Sequence, residues 1–214
     1  MQIVLDVGSG NTITSFEVAK RVVDEISKVD NGKHEIILKA QLFRDQPPNE
    51  HLKKNVFVAL WEYGNNHGYK VTASVFDLES LKFLLSFRDL PFIKIACRPE
   101  LYWLIGEIPR RTSVYVSYKP TLLKAMDMVT QPVIAEALIT ELLCIPEYPA
   151  KIEDYGDALL GYAYVSDHTV GLELLKKWRP EIWEKHFVLK HDDTNPDAGP
   201  FAITPEELKE ALQL

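Results

Sequence analysis

Cysteine is scarce. Only Cys97 and Cys144 occur in 214 residues, each inside an apolar run and without paired spacing, which argues against a disulfide framework or a zinc site and suits two reduced, buried thiols. No apolar run approaches the roughly 18 residues of a membrane span. The start, MQIVLDVGSGNT, has no basic stretch leading into a long apolar core, so the expectation is a cytoplasmic protein without a membrane partner. Basic charge is also in short supply: 24 Lys and Arg against 31 Asp and Glu give a formal net charge of -7, which speaks against nucleic acid as a partner. Gly8 and Gly10 in DVGSGN lack the third glycine of a dinucleotide-binding turn. No linker, low-complexity segment or internal repeat interrupts the chain, so residues 1–214 read as a single domain.

What the chain does have is alternation. Hydrophobic residues make up 46% and charged residues 26% of it, enough for one sizeable core. Short apolar or β-branched runs (QIVLDVG, HEIILKAQLF, YKVTASVF, PFIKIAC, TSVYVSY, TELLCIP, GYAYVSD, EIWEKHFVL) are interleaved with amphipathic stretches. Those stretches are SFEVAKRVVDEISKV, NEHLKKNVFVALWEYGNNHG, DLESLKFLLSF, PELYWLIGEI, KPTLLKAMDMV, IEDYGDALL, TVGLELLKKW and TPEELKEAL. Eight strand-like and eight helix-like segments imply parallel pairing through crossovers, and the count closes a compact α/β fold, the (β/α)8 TIM barrel. The region from Ala125 to Ala137 is open to helix, loop or strand. Cap chemistry marks the boundaries: TPEE at Thr204 to Glu207 is a capping box, Asp77 an N-cap, and Gly68 a helix stop.

Strands of a parallel barrel are covered on both faces and should be almost purely aliphatic. These are not: Asp6, Lys39, Lys94, Glu184, Lys185 and His186 all sit inside strand-like runs. An unpaired ionised group there would cost several kcal/mol, so each requires a partner, a metal or a ligand. Because side chains alternate, Lys39 shares a face with Gln41 and Glu184 with His186. Lying late in their strands, they would gather at the C-terminal mouth, where barrel enzymes place their chemistry. His168 follows the seventh strand and His186 ends the eighth, so both imidazoles can reach one ion. Two histidines with oxygen ligands nearby suit a first-row divalent metal whose shell keeps room for substrate or water. His191, Asp192 and Asp193 read instead as a solvated polar loop.

The wording VSDHTVG, EIWEKHFVL, NPD and ITPEELKEAL resembles, in order and spacing, the closing third of sialic acid synthases. The resemblance extends upstream through LDVGSGN, ILKAQLF, ASVFDLESLKFL, FIKIA and LLCIPEYP. It implies a metal-dependent, manganese-using enzyme that condenses phosphoenolpyruvate with an N-acetylated amino-sugar aldehyde, typically N-acetylmannosamine, to a nine-carbon 2-keto acid. It assigns His168 and His186 to the metal, and Lys39, Lys94 and Ser166 to phosphoenolpyruvate. Ser117 takes the place of a further phosphate-contacting serine, and Ser74 stands where threonine is usual. Tyr148 matches the sixth-strand tyrosine and Asp197 a substrate-facing aspartate. Glu184 falls behind these groups or pairs with a lysine.

The chain departs from that pattern on the phosphate and sugar sides. The fourth-strand motif Ser-Gly-Glu reads CRPE, which puts Arg98 where it can grip an anion and leaves Glu100 to recover the acidic role one residue late. Pro146 replaces an asparagine, the serine loop reads SYKP, and Asn11 is the remnant of a first-loop cluster. The resemblance also leads one to expect that the family's C-terminal antifreeze-like domain is missing, leaving a mouth that a homo-oligomer or a separate lid-supplying protein would cover. Two alternatives stay open: a barrel that keeps the metal but uses another substrate or reaction, and a non-catalytic binding or scaffold barrel.

Overall fold

The structure, a computed structural model, describes residues 1–44, 49–119, 138–161 and 163–214, apart from the side chains at 158 and 160. Strands β1 (Gln2–Gly8), β2 (Glu35–Leu42), β3 (Lys70–Val75), β4 (Ile93–Ile95), β5 (Ser113–Tyr118), β6 (Leu138–Cys144), β7 (Tyr164–Asp167) and β8 (Ile182–His186) pair in chain order. Every pairing is parallel, and β8 returns to β1 with His186 beside Asp6. The result is the closed (β/α)8 barrel that the alternation predicts.

Helices cover the outside. Helix α1 (Phe16–Val29) starts at Ser15, whose side chain accepts from the Val18 amide, and buries Ala19, Val22, Val23 and Ile26. That spacing of three and four residues is the apolar stripe of a helix lying on a sheet. Helix α2 (Lys54–Asn66) begins later than the run from Asn49 suggests, and Gly68 follows it at φ +86°. Asp77 caps α3 (Leu78–Leu84) by accepting from the Ser80 amide. Helix α4 (Glu173–Lys177) is short, and α5 (Pro205–Ala211) carries the complete Thr204/Glu207 capping box.

Two expected helices are 3-10 segments instead. Pro99–Glu107 buries Leu101, Tyr102, Leu104 and Ile105, with Ile108 buried just beyond. The steps 101/104 and 102/105/108 have a period of three, the repeat of a 3-10 turn rather than the 3.6 of an α-helix. Ile152–Gly161 is broken at Gly156, where φ is 50°, a left-handed conformation that glycine adopts without steric cost. The predicted helix KPTLLKAMDMV, beyond its first residue, and the Ala125 to Ala137 junction lie outside the described residues. Among the described residues no helix is long and apolar enough to cross a membrane.

Inside the barrel, alternation stacks two unlike layers. The lower one is apolar: Val4, Ile37, Phe92, Tyr115 and Leu142, with Tyr164 and Ile182 against them. Phe92 and Tyr115 stack face to face at 3.8 Å, and the Tyr115 hydroxyl donates to Gln2 Oε1 at 2.8 Å at the strand N-termini. One pleat higher, the same strands turn Asp6, Lys39, Ser74, Lys94, Ser117, Ser166 and Glu184 inward, all buried.

Lys185 and Asp167 have the opposite parity and sit fully buried between barrel and helices. Their charges meet at 3.1 Å. Asp167 also accepts from the Trp183 indole at 2.8 Å and from the Thr169 amide and hydroxyl, and Lys185 donates to the Thr169 carbonyl at 2.7 Å.

Candidate active site

Four charges interlock on the upper layer. Lys39 Nζ lies 2.6 Å from Asp6 Oδ2 and donates to Ser74 Oγ at 2.8 Å. Asp6 also accepts from Gln41 Nε2 and the Gly8 amide. Across the pore, Lys94 donates to Ser117 Oγ at 2.7 Å and lies 3.3 Å from Glu184 Oε1, which accepts from Ser166 Oγ at 2.7 Å. Glu184 Oε2 stands 4.0 Å from Lys39 and, although buried, has no hydrogen-bond partner.

Burial resists ionisation of Asp6, Lys39 and Glu184, and opposite charge overrides it. Asp6 is held well below the usual carboxylate range by Lys39 and then His186, despite desolvation that is individually the largest influence. Glu184 is likewise lowered, with desolvation outweighed by Lys39 and Lys94. Lys39 is raised, its burial outweighed by Asp6 and Glu184. Two ammonium groups thus stand fixed by two carboxylates.

Above this layer the imidazoles of His168 and His186 face one another at 5.6 Å between ring centroids. His168 Nδ1 lies 2.8 Å from the Ile145 carbonyl, which can only accept. Nδ1 therefore carries the proton, and Nε2 keeps its lone pair. Burial, then the charge of His186, pushes the His168 pKa well below its ordinary value, so the ring is neutral. His186 has Nε2 3.8 Å from Asp6 Oδ2, while its buried Nδ1 has no partner. Tyr148 lies over His168 at 4.1 Å, and Phe201 meets His186 and Tyr148 edge-on at 5.0 Å. Among the described residues no group of three or more His, Cys, Asp and Glu is arranged to hold a metal. A neutral imidazole with a free lone pair and a buried, unpartnered ring nitrogen fit an ion that takes two protein ligands and leaves the rest of its shell open.

These groups line one cleft of about 700 Å³ at the C-terminal ends of the strands. Of the residues singled out in the sequence, Lys39, Ser74, Lys94, Ser117, Ser166, Glu184, His168 and His186 come together at its base. Arg98, Glu100 and Tyr148 stand at the rim. The Arg98 guanidinium lies over the Phe76 ring at 5.6 Å. Glu100 is exposed in the first turn of the 3-10 segment, so the one-residue delay leaves it outside the buried layer. Tyr148 is 54% exposed although its ring covers His168. Asp197 lines the cleft, but its Oδ2 accepts from the amide and hydroxyl of Ser9, at 3.2 and 2.8 Å, tying the loop after β8 to the loop after β1.

Sequence reasoning registered Asp6 as a strand charge without giving it a place in the site, and it passed over Phe201. Parity with Val4 and Lys39 was the available signal for Asp6. The thiols also need correction. Cys144 is buried as expected, but Cys97 is only partly so, and both line the cleft. Cys97 follows a strand of three residues, so it has already left the sheet that would have covered it.

A family model described as the NeuB family matches residues 39–213. Among solved structures, the chain is similar to an N-acetylneuraminic acid (sialic acid) synthetase from Leptospira borgpetersenii, solved with citrate, at 20% identity and a TM-score of 0.77, covering 99% of this chain and 81% of that one. It is also similar to a spore coat polysaccharide biosynthesis protein E from Chromobacterium violaceum, at 18% identity and a TM-score of 0.79 over 99% and 73% of the two chains. A third similar structure is the Bacillus subtilis spore coat polysaccharide biosynthesis protein spsE, at 18% and 0.73 over 99% and 66%. At these identities the structural likenesses show the shared fold. No curated protein sequence gives a match.

Proposed function

Since the chain belongs to the NeuB family, we propose that it is a sugar-acid synthase that joins phosphoenolpyruvate to an N-acetylated amino-sugar aldehyde, N-acetylmannosamine or a relative, and releases phosphate. The observation that carries this reading is the base of the cleft: two fixed ammonium groups and three serine hydroxyls beneath a pair of imidazoles with nitrogens to spare.

In the reaction, C3 of phosphoenolpyruvate forms a bond to the aldehyde carbon, whose oxygen takes up a proton. Water adds at C2, the C2–O bond to phosphate breaks, and C2 becomes the ketone. Lys39 and Lys94 act as point charges on the donor's carboxylate and phosphate, and Ser74, Ser117 and Ser166 supply short-range donors. Because Asp6 and Glu184 hold both lysines in place beforehand, orientation costs little when the donor arrives. Glu184 Oε2, ionised and unpartnered, is a ready acceptor for the proton of the adding water. His168 and His186 are the residues that would hold a divalent ion, manganese being the expected one. When bound, such an ion supplies Lewis-acid polarisation of the aldehyde oxygen. Asp197, Arg98, Glu100 and Tyr148 border the acceptor's side of the cleft.

The test is turnover with manganese, phosphoenolpyruvate and N-acetylmannosamine, followed by phosphate release and the mass of the nine-carbon acid. His168→Ala and His186→Ala should abolish it while the fold is retained by circular dichroism, and retained turnover in either would remove the metal assignment. Lys94→Ala should weaken phosphoenolpyruvate binding in titration. One observation favours a second acceptor: Arg98 brings a guanidinium to the rim. Ion and donor binding without turnover of N-acetylmannosamine would select a barrel that uses another aldehyde.

A further inference from the structure

The two 3-10 segments repeat one arrangement. Pro99–Glu107 leads from β4 to β5, and Ile152–Gly161 from β6 to β7. Each carries one tyrosine, Tyr102 and Tyr155, and both are buried. The Tyr102 hydroxyl donates to the Ser117 carbonyl at 3.0 Å, and the Tyr155 hydroxyl donates to the Ser166 carbonyl at 3.1 Å. Both acceptors belong to serines at the base of the cleft. Ser117 Oγ accepts from Lys94, and Ser166 Oγ donates to Glu184, each at 2.7 Å.

The strands show why these carbonyls are reached from outside the sheet. β4 stops at Ile95, opposite Val116, so Ser117 stands one residue past the end of that ladder. β6 stops at Cys144, opposite Ser166, where its ladder with β7 ends. A buried carbonyl that has run out of ladder still requires a donor. In both places the segment that follows the stopped strand supplies a phenol. A carbonyl so held fixes the tilt of its peptide plane, and with it the direction in which the serine side chain leaves the backbone.

We propose that Tyr102 and Tyr155 are positioning residues for the donor end of the cleft, each acting through a main-chain carbonyl to aim one serine hydroxyl. The proposal rests on the reading of the cleft base as the phosphoenolpyruvate site. Neither ring lines the cleft, so neither acts by touching the ligand. Tyr155 reaches further than Tyr102, because the His168 amide also lies 3.5 Å from its oxygen.

The experiment titrates phosphoenolpyruvate into the native protein, Tyr102→Phe and Tyr155→Phe, with Tyr69→Phe as control. Tyr69 is buried too, but its hydroxyl donates to Asp30 just before β3, at the opposite end of the barrel. The dissociation constant should rise about three- to tenfold in Tyr102→Phe and in Tyr155→Phe and stay at the native value in Tyr69→Phe. Double substitutions separate aiming from general support. With Ser117→Ala in place, Tyr102→Phe should add less than about twofold, and Tyr155→Phe should add as little on Ser166→Ala. Losses that multiply in full, an equal loss in Tyr69→Phe, or native affinity in both phenylalanine variants would overturn the proposal. Amide hydrogen exchange of the ligand-free proteins tests the brace by itself. Tyr102→Phe should speed exchange at the end of β5 alone, and Tyr155→Phe at the end of β7 alone. Unchanged exchange in both would overturn the proposal whatever the cleft binds. Native protein that shows this exchange pattern in its variants but takes up no phosphoenolpyruvate would remove the donor reading and leave the brace standing.

Discussion

The barrel holds two buried charge clusters one residue apart on β8, and they are built to opposite standards. Outside the barrel wall, Lys185 and Asp167 satisfy one another and their neighbours: the carboxylate takes an indole, an amide, a hydroxyl and the ammonium, which also has the Thr169 carbonyl. Inside, Glu184 and His186 each keep a buried atom without a partner. A finished network fixes architecture. An unfinished one carries a standing energetic penalty for each orphan atom, about 1–3 kcal/mol, and a ligand can remove it. The difference separates completed charge from unfinished charge in a single five-residue strand.

The comparison breaks most sharply at Asp167. Asp167→Ala leaves Lys185 buried and unpaired, and the expected cost is about 3–5 kcal/mol, read as a drop in the urea midpoint at unchanged slope. A loss below 1 kcal/mol would mean that the outer pair is not the structural one. Glu184→Gln should behave the other way. Turnover, measured as phosphate release from phosphoenolpyruvate, falls about 10²–10³-fold, whereas stability moves by only about 1–2 kcal/mol because the Ser166 bond survives.

A smaller effect is expected from Trp183→Phe, which keeps an aromatic ring of smaller size and removes one donor to Asp167. It should cost about 1–3 kcal/mol and leave ligand titrations of the cleft untouched. The inner cluster also has a pH signature. Asp6 and Glu184 are depressed in the folded state, so the stability they lend is complete above their unfolded values near 4 and is lost as pH falls through the folded ones. Lys39 is raised, so its share is complete below about pH 10.4 and is lost as pH rises through the folded value. Metal-free Glu184→Gln should lose less stability than the native protein over the acid limb, and parallel curves would contradict the assignment. The smallest change belongs to the exposed Lys176–Glu210 pair at 2.8 Å: Lys176→Ala should cost less than about 1 kcal/mol.

Much of this was legible in the sequence, because parity in a strand is rigid. Polar letters two apart in apolar runs predict that Lys39 shares a face with Gln41 and Glu184 with His186, and these faces turn into the pore. The same rule distinguishes Lys185, one position off, which the strand reading had grouped with them. Cap residues Asp77 and Thr204 sit where local hydrogen bonding requires them. What escaped was non-local or a matter of fine period. Cys97 and Cys144 are 47 residues apart, and only barrel curvature brings them into one cleft. The period of three in 99–108 is so close to 3.6 that amphipathicity alone suggested an α-helix. Glu100 stands one residue late in its motif, and the turn that receives it is exposed.

Among the described residues, the stack of Phe92 on Tyr115 and the Tyr115–Gln2 bond fill the barrel beneath the charged layer, so that layer is reached from the C-terminal mouth. Entry from the mouth imposes a queue. Whatever reaches Lys39 and Lys94 must pass the rim before anything lodges between Arg98 and Tyr148, and it must leave last. Order of arrival is therefore written into the stacking of two rings at the far end of the molecule.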